Sequence, residues 1–274
     1  MLLTPSARIA VPNGGYIWNM ESPPLPYLDE VRHVSGDASE DDDETGIDLR
    51  SPVLDQALER SHRVYDPFKD VPGLFLMFSR LPQTAEAILS FANQYGSLTN
   101  PTLEYWQEAI RDVRAAVHLW RAVKDGDLAN LAEHVVWHGP RLKILSPLRR
   151  AFVPSDEYYS DTRFWDSIIQ KFRPGQSYRV DDKLAPAQDL LAWVLETRQT
   201  VHGIITPVQY LPGRYRFELV INYLLDVIWT QFVMAVCEDQ CFRDCQHCAR
   251  PLRLTPDVTR NDRLYCSTAL MPAR

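Results

Sequence analysis

The apolar positions of this chain recur at two different spacings, and the spacing separates helix from strand. Residues 83–95 (QTAEAILSFANQY) put Ala85, Ile88, Leu89 and Ala92 on one helical face, and Gly96 stops them. Asn100 and Pro101 then predict an N-cap and a first helical position. After them Leu103, Trp106, Ile110, Val113, Val117 and Trp120 follow at steps of three and four. That is one apolar stripe about six turns long, and its two tryptophans predict core packing rather than a ligand platform. Further helices are predicted over 55–64 before Pro67, over 127–137 before Gly139-Pro140, and over 164–172 before Pro174-Gly175. Pro186 suits the first turn of a helix through Leu190, Leu191, Val194 and Leu195.

Strand-like pieces are fewer. Arg8–Val11 and Tyr16–Trp18 predict a strand or two near the start, and Ile204–Leu211 with Tyr215–Val220 flank Pro212-Gly213 as a β-hairpin. The segment 222–237 (NYLLDVIWTQFVMAVC) is apolar on most sides but too short to cross a bilayer comfortably, which predicts a buried core helix. No run of 18 apolar residues occurs, so no membrane span is expected. The predicted fold class is mainly α with minor β, in three parts. Residues 1–54 are irregular or β, residues 55–240 form a mainly helical body, and residues 241–274 form a small C-terminal module.

Composition changes this picture in two places. The net charge is -7, yet residues 37–48 (DASEDDDETGID) hold seven acidic side chains and no basic one. Without them the 29 Lys and Arg are balanced, so the acidic run reads as a solvated, self-repelling loop. It lacks the mid-loop glycine and spaced glutamate of a calcium loop. The first residues carry neither the basic stretch nor the apolar run of a secretory signal, which makes cytoplasmic location the expectation.

The second place is the cysteine distribution. All five, Cys237, Cys241, Cys245, Cys248 and Cys266, lie near the C-terminal end. Clustered cysteines in an intracellular chain point to metal or redox chemistry rather than a disulfide frame. A C-x2-C pair such as Cys245-Gln246-His247-Cys248 makes a tight knuckle whose two thiolates converge on one tetrahedral ion, usually zinc. The 17 residues before Cys266 suit a hairpin that folds back and delivers a third thiolate. Cys241, taken as one helical turn before Cys245, is a candidate fourth ligand, while His247 is expected to point away. Water or another chain could also complete the site. The alternatives are an empty site and thiol redox chemistry at Cys245 and Cys248, which lacks a thioredoxin-like βαβ context.

The run Phe242-Arg243-Asp244-Cys245-Gln246-His247-Cys248-Ala249-Arg250-Pro251, followed by Asn261-Asp262-Arg263-Leu264-Tyr265-Cys266-Ser267, resembles the C-terminal zinc ribbons of CGNR-type bacterial proteins. More weakly, Phe91–Gly96 and the segment from Trp106 through Arg111 and Arg114 to Trp120 resemble the bodies of bacterial proteins that carry such a finger. The resemblance implies a treble-clef-like finger with structural zinc at the end of a transcriptional regulator. It departs at Leu270, which stands where the pattern has its last cysteine. The Arg-rich helix that follows in the pattern is also missing, so the finger reads as incomplete and truncated.

Within 242–274 six arginines face three aspartates, a net of +3. Arg is suited to phosphate contacts, so Arg250, Arg253, Arg260 and Arg263 are the candidate nucleic-acid-binding residues, with DNA as the expected partner. A solvated finger surface explains the same arginines equally well. Elsewhere, His134 and His138 have the i, i+4 spacing of a helical metal pair, but Glu133 precedes the first His instead of following it, and plain surface or core histidines are the expectation. Asp181-Asp182 and Tyr158-Tyr159 read as loop features. No glycine-rich phosphate loop, no G-x-S-x-G elbow and no nucleophile–base pair is visible, so enzymatic activity is not supported. The leading expectation is a zinc-finger-bearing, nucleic-acid-binding regulatory protein. Its rival is a protein-interaction or self-associating module whose finger is structural or degenerate. An enzyme with its site in the helical body ranks third.

Overall fold

The computed structural model describes residues 4–19, 53–56, 62–138, 141–145, 161–174, 177–198, 203–211, 214–221 and 223–254. The acidic loop 37–48, Tyr158-Tyr159, Pro212-Gly213 and the segment holding Arg260, Arg263 and Cys266 lie outside the described residues. Eight helices appear in the described residues: α1 Pro67–Asp70, α2 Leu74–Ser79, α3 Ala85–Tyr95, α4 Leu103–Asp125, α5 Leu128–Leu131, α6 Asp161–Phe172, α7 Leu184–Arg198 and α8 Leu224–Cys237. The architecture is mainly α with minor β.

The longest stripe becomes the axis of the core. Trp106, Ile110, Val113, Val117 and Trp120 on α4 are all buried, and α4 packs against α2, α7 and α8. Its start differs from expectation by two residues. Thr102 is the N-cap, its hydroxyl accepting the Tyr105 N–H, while Asn100 Oδ1 accepts the Thr102 N–H at 3.0 Å one step earlier. Phe75 of α2 is fully buried among Trp120 and Phe232, with ring centroids 6.1 and 5.6 Å away. The predicted helices at 83–95, 164–172, around Pro186 and at 222–237 correspond to α3, α6, α7 and α8.

Two predicted helices are corrected. Within 55–64 the described residues are extended: strand β4 (Val53–Gln56) ends there and strand β5 (His62–Tyr65) begins. They pair antiparallel with β3 (Tyr16–Asn19) and β2 (Ile9–Pro12), whose edges would otherwise carry unmet backbone groups. The helix expected over 127–137 stops at Leu131, and Val135–His138 forms β6, paired with β7 (Arg141–Ile144). Val135-Val136-Trp137 are β-branched and aromatic residues that fit a pleated pair better than a helix. The expected hairpin is present as β8 (Gly203–Leu211) and β9 (Arg214–Ile221), extended by β1 (Thr4–Ala7) lying parallel to β9.

The described N-terminal residues share the core of the helical body. Ala7, Ile9, Val11 and Tyr16 are buried in the same core as α4. Trp18 Nε1 donates to Ala85 O at 2.8 Å, and the Tyr16 N–H donates to Asn93 Oδ1. At Gly96, with φ at +103°, an added Cβ would stand 2.8 Å from Ile9 Cγ2, so this close approach of β2 to the end of α3 excludes a side chain.

Candidate functional site: the C-terminal hairpin and its seat

The last described elements are β10 (Cys241–Asp244) and β11 (Pro251–Leu254), an antiparallel pair. Asp244 opposes Pro251 at the closed end, and Cys241 opposes Leu254 at the open end. Between them the chain makes the turn that C-x2-C spacing predicts. The Cys245 N–H donates to Arg250 O, and the Ala249 N–H donates to Cys245 O, each at 2.8 Å. Ala249 takes φ +55°, the left-handed conformation that closes so short a loop. Cys245 is buried, while His247, Cys248 and Arg250 are exposed.

This closed turn carries Cys245 and Cys248 at the C-x2-C spacing that half of a tetrahedral zinc site uses. Among the described residues no group of three or more His, Cys, Asp or Glu comes together, and the expected third ligand, Cys266, lies outside them. Cys241 does not fill the gap. It starts a strand rather than sitting one helical turn back, so its backbone is four extended steps from that of Cys245, about 13 Å. Two sulfurs on one zinc lie no more than about 4.6 Å apart. Instead, Cys241 Sγ accepts from Lys124 Nζ at 3.7 Å. The His134–His138 pair is likewise removed from helical spacing, because His134 lies in a turn and His138 in β6.

The hairpin is seated on the helical body by one face. Phe242 stacks edge-on against Phe75, with centroids 5.4 Å apart. Gly73, with φ +88°, is the N-cap of α2, and a Cβ there would come within 2.9 Å of Pro251 Cβ and 3.1 Å of Phe242 Cε1. Glycine is therefore required twice, for the backbone angle and for the approach of the hairpin. A glycine cap leaves the helix start without a side-chain acceptor. Gln231 of α8 supplies one: its Oε1 accepts the Leu74 N–H at 2.9 Å, and its Nε2 donates to Pro67 O at 2.9 Å and Val71 O at 3.2 Å.

Charges ring this seat. Arg80 Nη1 meets Asp244 Oδ1 at 2.7 Å, Lys124 Nζ meets Asp239 Oδ1 at 2.6 Å, and Arg253 Nη2 meets Glu238 Oε2 at 3.0 Å. Burial works against the Lys124 ammonium, but the Asp239 carboxylate and the Cys241 sulfur together hold its pKa above the usual lysine range. Of the four arginines expected to meet nucleic acid, Arg250 is exposed beside the knuckle and Arg253 is half-exposed in its pair with Glu238. Arg250 and Cys248 both act electrostatically on the Tyr95 phenol at the end of α3, whose pKa burial raises. Gly73, Gln231, Arg80 and Lys124 had no motif to announce them, and Phe242 stood in the zinc-ribbon-like run without a sign that it seats the hairpin. Arg121 and Lys124 each follow a stripe residue, Val117 and Trp120, by four positions, so they continue that face of α4 past its apolar end.

No family model, curated protein or solved structure matches this chain. Among the described residues no helix is long and apolar enough to cross a membrane.

Proposed function

We propose that this chain is a nucleic-acid-binding regulatory protein whose C-terminal hairpin presents arginines to phosphate. The observation that carries the reading is the closed Cys245–Ala249 turn, with two thiols on one short loop and exposed Arg250 directly after it. In this reading Cys245, Cys248 and Cys266 hold a structural zinc, which supplies rigidity and no chemistry. Arg250, Arg253, Arg260 and Arg263 contact the backbone of DNA, and the helical body around α4 responds to a ligand or partner. The resemblance to CGNR-type zinc ribbons supports the same assignment.

A second reading is favoured by the seating of the hairpin on Gly73 and Phe75. There the module is a structural cap on α2 and α8, and the protein binds other proteins rather than nucleic acid. Two measurements on the full chain separate the readings. Elemental analysis after exchange into metal-free buffer should find near one zinc per chain, and a parallel Leu270→Cys sample reports whether the missing ligand limits occupancy. Binding of a mixed-sequence DNA duplex should weaken steeply as salt rises, because released counterions drive phosphate contacts. Salt-independent or absent duplex binding leaves the structural cap as the surviving reading.

A further inference from the structure

Beside the hairpin a cleft of about 390 Å³ opens between α4, α2 and β10. Its volume falls in the range of small-molecule sites. Arg80, Arg121 and Lys124 line it together with Asp125 and Asp244, three cations against two carboxylates, and Trp120 and Phe242 add apolar surface. Two of these cations are engaged: Arg80 holds Asp244, and Lys124 holds Asp239 and donates to Gln240 O at 3.2 Å. Arg121 is different. Among the described residues it makes no hydrogen bond and no ion pair, although it is exposed to the cleft. Partial burial and the neighbouring Arg80 charge both disfavour its cationic form, and Asp244 and Asp125 offset this only in part. Two guanidinium groups therefore share a partly desolvated space in which Arg80 is ion-paired and Arg121, among the described residues, meets its nearby carboxylates only at longer range.

We propose that this cleft binds a phosphate group, held by the free fork of Arg121 and by Arg80 and Lys124, in competition with the Asp244 carboxylate. The planar guanidinium of Arg121 presents parallel N–H donors that match two oxygens of a phosphate. Phosphate that takes Arg80 displaces Asp244, and Asp244 adjoins Cys245 at the closed end of the hairpin. Occupancy of the cleft and seating of the hairpin are thereby linked, each disfavouring the other. The phosphate can belong to a small phosphorylated molecule or to a nucleic-acid backbone. Arg80, Arg121 and Lys124 come from the helical body, so the site stands whether or not the hairpin carries zinc.

The test is calorimetric titration of the full chain with inorganic phosphate, with adenosine monophosphate and with a mixed-sequence DNA duplex. The variants are Arg121→Ala, Arg121→Lys and Asp244→Asn, each first compared with the parent by circular dichroism. Arg121→Ala should weaken phosphate binding roughly tenfold or more, the size of a lost charged hydrogen bond, and Arg121→Lys should weaken it less. Asp244→Asn should strengthen it several-fold by removing the competing carboxylate. If the phosphate is that of a small molecule, adenosine monophosphate binds and Arg121→Ala leaves duplex affinity unchanged. If it is a backbone phosphate, Arg121→Ala lowers duplex affinity and reduces its salt slope by about one. Phosphate and duplex binding that are both absent, or both indifferent to Arg121→Ala and Asp244→Asn, overturn the proposal, whatever the zinc content of the protein.

Discussion

The body around α4 and the hairpin β10–β11 meet at Phe75, yet they are held in different ways. In the body, fully buried rings and aliphatic chains close on one another from several elements, so removing one leaves a cavity with no easy collapse. The hairpin rests on one half-buried ring, one proline and a few ion pairs between half-exposed groups. Exposed pairs contribute little, so its attachment depends mainly on Phe242 and Pro251. One polypeptide thus carries a cooperative core and a module that comes away at much lower cost.

Truncating the ring shared by both regions gives the greatest loss. Phe75 is fully buried and touches Trp120, Phe232 and Phe242, so Phe75→Ala should lower global stability by about 3–5 kcal/mol in denaturant unfolding. A loss under about 1 kcal/mol would mean that Phe75 does not anchor the core. Phe242→Ala acts on the module alone. It removes the hairpin's side of the same contact and should cost about 1–2 kcal/mol. Hydrogen exchange should then quicken in 241–254 while amides of α4 keep their protection. Equal quickening in both would show that the hairpin and core open as one unit.

A weaker effect belongs to the body alone and is read through pH. His134 is buried, its Nδ1 has no hydrogen-bond partner among the described residues, and burial followed by the His118 charge lowers its pKa. The neutral imidazole is the folded form. Its contribution to stability is full above the unfolded value of about 6.5 and is lost as pH falls toward the lower folded value. Asp112 acts oppositely, because burial outweighs its Arg198 partner and raises its pKa to about 6. Its contribution is full below the unfolded carboxylate value and fades as pH rises through 6. Comparing the parent with His134→Leu therefore isolates the histidine, since Asp112 is common to both. The parent should lose stability relative to the variant as pH falls from 7 to 5, read as denaturation midpoints. Midpoints that run parallel across that range would mean that His134 keeps an ordinary pKa when folded.

The legible part of this protein was whatever a few consecutive residues decide. The three-and-four spacing from Leu103 to Trp120 could belong only to a helix, and Pro212-Gly213 between two β-rich runs read directly as a hairpin. The misread described positions, 55–56, 62–64 and 135–138, are those whose conformation depends on a strand elsewhere: β5 pairs with β2, and β4 with β3, across dozens of residues, while β6 pairs with β7. The C-x2-C spacing announced a thiol turn around Cys245 and Cys248. It could not announce that Cys241 begins a strand whose length holds it far from them.

Local sterics and spacing were enough to specify the strongly periodic helices, the buried stripe of α4 and the tight Cys245–Cys248 turn. Only the folded chain sets the N-terminal cap of α2, which comes from Gln231, 157 residues away, and makes Gly73 the seat of the hairpin. Folding also brings Arg80 and Arg121 to one cleft with Asp244. These contacts follow from which surfaces exclude water together, and neither partner carries a local pattern that names the other.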